Sequence, residues 1–92
     1  LANTRSAEKR NRQAQQRRLR NAAVRTRIKT SVKRVREAIA AGDLPAAKEA
    51  LQTASRVLDG AASKGVVHRN AASRRISRLA KAVAHAAPAR PS

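Results

Sequence analysis

The sequence contains no cysteine, methionine, phenylalanine, tyrosine or tryptophan, and only three glycines and three prolines in 92 residues. Each absence removes a class of function. Without cysteine there is no disulfide and no thiolate metal site, and two isolated histidines do not make a zinc cage. Without an aromatic ring nothing can stack on an unpaired base, which argues against the common single-strand recognition platforms. Carboxylates are scarce as well, 5 against 22 Lys and Arg, and they sit at the ends of helical segments, where caps and dipole partners belong. No serine lies in a G-x-S-x-G or other nucleophile setting. The spacing from Gly60 to Gly65 lacks the following Lys-Ser/Thr and the preceding strand of a phosphate-binding loop. The chain is therefore expected to be no enzyme and to take no cofactor, metal or small-molecule substrate.

Long apolar runs are missing too: none has the length of a secretory signal core or of a bilayer span. An Arg-rich, acid-poor start also fits an organellar transit peptide, but the basic residues continue far beyond a removable leader. Leu1 stands where an initiator methionine is expected. The reading is a non-AUG start codon translated literally, with Ala2 as the mature first residue.

What remains is a small all-α chain. Ninety-two residues suffice for one small domain, and its core has to come from a few Leu, Ile and Val residues padded with alanine. In AAGDLPAA, Gly42 can take the left-handed conformation that ends a helix, Asp43 suits the next N-cap, and Pro45 falls in a first turn, where its missing N–H costs nothing. In SKGVVHRNA, Gly65 closes a second helix and His68 or Asn70 opens a third. Apolar residues recur at helical spacing in all three segments: Val24, Ile28, Val32, Val35 and Ile39; Leu44, Ala47, Leu51, Ala54, Leu58 and Ala61; then Ala72, Ile76, Leu79, Val83 and Ala86 or Ala87. Such narrow seams predict a three-helix antiparallel bundle. Helix one is expected at about residues 6–40, helix two at 44–62 and helix three at 69–87, all in a single domain 1–87, with 88–92 as a flexible Pro-containing tail.

Running the first seam backwards from Val24 gives Asn21, Arg17, Ala14 and Arg10, so the apolar face stops. The first half of helix one should project from the bundle as a basic arm. A helix polar all round gains nothing from core burial, and alone in water it is expected to fray. Its only large apolar side chain is Leu19.

The charge indicates what orders it. A net charge of +17 repels itself in a compact domain unless a polyanion neutralises it. Thirteen of the 22 basic residues lie in positions 1–36, so the field is concentrated on helix one. Arg18, Arg25, Lys29, Lys33 and Arg36 line one face beside the apolar seam; Arg74, Arg78, Lys81 and His85 repeat the pattern on helix three. Helix two, with Lys48 and Arg56 against Asp43, Glu49 and Asp59, is slightly acidic and is expected to be the outer or bundle-completing member. Arginine forks suit phosphate oxygens, while Asn and Gln reach ribose hydroxyls or base edges, so binding by shape and backbone is predicted. The composition alone leaves two nucleic-acid readings open: a structural RNA binder, or a nucleoid-type basic DNA-binding protein. A cationic membrane-surface helix is disfavoured, because the bulky apolar face that inserts into an interface is missing.

The segments SAEKRNRQAQQRRLRN (6–21) and LDGAASKGVVHRNAASRRISRLAKAV (58–83) resemble the two signature regions of bacterial small-subunit ribosomal protein number twenty, the S-twenty family. EAIAAGDLPAAKEAL between them resembles that family's first helical turn and the start of its second helix. The resemblance implies a three-helix bundle with a long projecting first helix, a place in the cytoplasmic small ribosomal subunit, and direct, early binding to 16S ribosomal RNA. It also implies RNA-facing roles for Lys9, Arg10, Arg12, Arg17, Arg18, Arg20 and Asn21, and for Lys64, His68, Arg69, Asn70, Arg74, Arg75 and Arg78. Gln15 and Gln16 depart from the family's more charged pattern. Charge and position add Arg5, Arg25, Lys29, Lys33, Arg36 and Lys81 to the expected RNA-binding set. Few or no protein neighbours and no obligate homo-oligomer are expected.

Overall fold

A computed structural model of the chain describes residues 2–86, with side chains from residue 4 onward. The described residues form three helices and no strand: α1 (Ala2–Ala40), α2 (Leu44–Ser63) and α3 (Arg69–Ala86). The expected tail at 88–92 and the readings on Leu1 and Ala87 fall outside the described residues.

Both turns are built by glycines at positive φ, 74° at Gly42 and 79° at Gly65, where a side chain would collide with its own backbone. At the end of α1, the Gly42 N–H donates to the Ile39 carbonyl (3.0 Å) and the Asp43 N–H to the Ala38 carbonyl (3.0 Å). At the end of α2, the Gly65 N–H donates to Ala62 (3.1 Å) and the Val66 N–H to Ala61 (2.9 Å). These paired bonds satisfy carbonyls that a helix end leaves bare. Asp43 then caps α2: its Oδ1 accepts from the Ala46 N–H at 3.1 Å, with Pro45 in the first turn. For α3 the structure decides between the two candidates. His68 is the cap, its Nδ1 accepting from the Asn70 N–H at 3.1 Å and its carbonyl from the Ala72 N–H at 3.0 Å.

The core consists of Val24, Ile28 and Val35 from α1, Ala47, Ala54, Leu58 and Ala61 from α2, and Ala72, Leu79 and Val83 from α3. Val32, Ile39, Leu44, Leu51 and Ile76 pack against it while only half-buried. The helical seams therefore face inward as their spacing predicts. Of the two roles expected for α2, outer or bundle-completing, the structure gives the second, from a central position. This helix packs along both neighbours, whereas α1 and α3 meet at few positions. Alanine accounts for this: Ala47, Ala54 and Ala61 are all at or below 1 % exposure, and such small side chains let α2 sit close to two helices at once.

Beyond the bundle, α1 continues alone. Every residue from 4 to 20 is exposed, and packing begins only at Asn21, which is half-buried. Leu19 is 72 % exposed. The molecule measures 76 × 22 × 13 Å, with a radius of gyration of 18.5 Å, against about 12 Å for a compact chain of this length. Local chemistry permits a helix here without stabilising it by packing: from Arg5 to Ala23 there is no glycine, proline or β-branched residue, and Arg, Gln, Ala and Leu are strong helix formers. The packed half of α1 also supplies the nucleus, so the arm needs only propagation, one residue at a time. That is why α1 runs on to Ala2 rather than stopping near residue 6.

Candidate nucleic-acid interface

Because α1 and α3 are both held by α2 rather than by each other, a groove runs between them. One part, about 420 Å³, is lined by Lys29, Lys33 and Arg36 of α1 and Arg75 and Arg78 of α3, over Val32 and Leu79. It continues along Arg25, Ile28, Lys29, Leu58, Val67, Ala71, Ala72 and Arg75. No carboxylate lines either part. Six cations thus flank a floor in which Ile28, Leu58 and Leu79 are buried and Val32 and Val67 half-buried. With six cations and no carboxylate along its walls, the groove attracts by charge, and a chain of phosphates is the complementary shape.

The same face of α1 extends past the bundle. Ala14, Arg17, Arg18, Asn21 and Arg25 border a shallow depression along the arm, so the cations form a track from the open helix into the groove. Arg10 continues this helical line beyond Ala14, while Arg5, Lys9, Arg12 and Arg20 are exposed on the arm's remaining faces. The arm can be gripped from any side.

The second basic segment is not gathered in one place. Arg75 and Arg78 turn into the α1/α3 groove, while Arg74 and Lys81 follow the exposed outer face of α3. Arg69 and Asn70 are exposed in its first turn. Accepting at Nδ1 leaves His68 its Nε2–H as the donor available to an outside acceptor. Lys64 is carried away from all of these, to a notch between α1 and α2 that it shares with Arg27 and Arg56. Arg27 and Arg56 are not in the set expected from the sequence. The signal that finds them is the pairing of α1 with α2, which no single helical wheel contains.

Among the described residues no group of three or more His, Cys, Asp or Glu could hold a metal ion, and no helix is long and apolar enough to cross a membrane.

Fold and surface together define a class: an elongated, all-helical basic module with a charged groove and an unpacked arm, shaped for an extended polyanion. Comparison with known proteins gives the family. A family model described as "Ribosomal protein S20" matches residues 2–84. The "Small ribosomal subunit protein bS20" of Anaeromyxobacter sp. (strain Fw109-5) is 63% identical over 90 residues, covering 98% of this chain and 100% of the relative. Those of Geotalea daltonii and Streptomyces griseus subsp. griseus are 55% and 49% identical, over 90% and 91% of this chain and 95% and 96% of the relatives. The chain belongs to the ribosomal protein S20 family. It is a structural ribosomal protein of the bacterial cytoplasm, not an enzyme.

Proposed function

We propose that the protein binds 16S ribosomal RNA of the small subunit directly, through phosphate and sugar contacts, and stabilises the folded RNA during assembly. The observation that carries the reading is the arm: residues 4–20 are exposed without exception, and they hold seven of the chain's 22 Lys and Arg against one carboxylate, Glu8. Such a helix gains no core burial from its own domain. It gains its order where crowded phosphates need neutralising, and its narrow cross-section lets it thread between RNA segments.

The bundle acts as a single domain that anchors this arm. Its groove is formed before binding, with Arg25, Lys29, Lys33 and Arg36 opposite Arg75 and Arg78, so docking there requires no folding step. The arm, already helical as part of α1 but supported by no packing, is held firmly as RNA closes around it. The protein works as a monomer with few protein neighbours, since among the described residues the large apolar side chains other than Leu19 are buried or half-buried in the bundle.

Competition tests the reading. The protein is bound to a small-subunit ribosomal RNA fragment and challenged with duplex DNA at equal phosphate concentration. Retention on the RNA supports the proposal; displacement by DNA removes its support and favours a nucleoid-type binder.

A further inference from the structure

The notch between α1 and the end of α2 lies on the flank of α1 away from α3. It has a volume of about 190 Å³ and is lined by Val24, Arg27, Arg56, Val57, Gly60, Ala61 and Lys64. Three cations converge there from two helices, and no carboxylate is among the lining residues. Further along the same α1/α2 boundary the situation differs, because Arg34 shares its depression with Glu49. The excess charge is thus local to one end.

Gly60 forms part of the wall. It lies inside α2, four residues before the Lys64 cap, and its φ is not positive. Nothing lies within 4 Å of where its Cβ would be. Neither backbone geometry nor packing requires glycine, and in a helix interior it is unfavourable relative to alanine. Its effect is to leave the three cations open to an approaching group.

Resting on the RNA-binding reading above, we infer that Arg27, Arg56 and Lys64 form a second seat for phosphates of an RNA backbone, separate from the arm and from the α1/α3 groove. Charge complementarity selects the occupant. The apolar floor is small, Val24 and Ala61 being buried and Val57 half-buried, so an apolar partner would gain little, whereas anionic oxygens meet three donors at once.

Gly60 provides the test, because either Glu or Lys there improves the helix and fits the open space, while the two differ in charge. Full-length Gly60→Glu, Gly60→Lys and wild type are compared on the same 16S RNA fragment by salt-dependent affinity and by backbone cleavage protection. Gln52→Glu and Gln52→Lys, exposed on α2 outside the notch, control for net charge. The expected result is that Gly60→Glu loses one patch of protection and binds about 10-fold more weakly. Gly60→Lys keeps the patch, and its log–log salt slope steepens by about 0.7 to 0.9. The double variant Arg27→Gln/Arg56→Gln loses the same patch and flattens the slope by about 1.4 to 1.8. Equal effects at positions 60 and 52, or a double variant with every patch intact, overturn the seat while leaving RNA binding established. A wild type that protects no part of the small-subunit RNA refutes the function itself, a result distinct from either of these.

Discussion

The Nδ1 atom of His68 accepts the Asn70 backbone N–H at 3.1 Å, so a residue marked for RNA contact also holds the first turn of α3 in place. His68→Ala is expected to cost about 1 kcal/mol, as for other lost N-caps. In a domain of this size the thermal midpoint falls by about 4–8 °C for each kcal/mol. Asn is a good N-cap, so His68→Asn should restore most of the midpoint while losing the outward Nε2–H. Thermal denaturation followed by circular dichroism checks the first effect, and RNA affinity the second.

Core and interface should separate under mutation. Reversing Arg17, Arg18 and Arg20 to Glu is expected to abolish RNA association while shifting stability by no more than about 0.5 kcal/mol, since all three are exposed and touch no core residue. Unfolding of the bundle by this triple variant, seen in a thermal scan, would show that the arm contributes to the fold.

Leu58 is 1 % exposed, and Leu58→Ala should destabilise by about 2–5 kcal/mol in a denaturant titration. Leu51 follows the same helical spacing but is only half-buried. Leu51→Ala is therefore expected to cost clearly less, with a smaller shift of midpoint at unchanged slope.

Amide hydrogen exchange addresses the arm. Its backbone bonds are covered by no tertiary contact, which places residues 5–20 at the low-stability end of the molecule. In the free protein these amides should exchange far faster than those at Leu58 or Leu79, and binding of the RNA fragment should slow them. Strong protection without RNA would mean that the arm is ordered by its own sequence.

Contact with phosphates also fixes a salt dependence. If six to ten phosphates are neutralised, affinity should fall about 10³- to 10⁵-fold between 50 and 200 mM salt. Filter binding across that range measures it, and a nearly flat curve would point to contacts of another kind.

Much of this architecture is legible in the residues because its determinants are local. Gly42, Asp43 and Pro45 specify their turn by conformation and hydrogen bonding within a few positions, and the seams from Val24 to Ile39 and from Ala72 to Val83 specify which faces turn inward. His68 and Asn70 could not be ranked from spacing, since both side chains can accept an N–H; only the orientation of the imidazole settles it. The central place of α2 was hidden for another reason. Its near-neutral charge marks it as peripheral to binding, but charge says nothing about packing, and Ala47, Ala54 and Ala61 look like padding until two neighbours are seen resting on them. The groove residues were legible one helix at a time, whereas Arg27 and Arg56 become a cluster only when α1 and α2 are laid together.

The bare stretch of α1 has a bearing on what becomes of surplus copies. Seven basic side chains stand on a segment whose local opening costs little, which is the kind of strip a trypsin-like protease cuts first. On the RNA-binding proposal, a copy enclosed by RNA conceals that strip, and a stray copy displays it. Slenderness is therefore expected to set where the uncovered molecule is first cleaved, within this strip and not in the bundle.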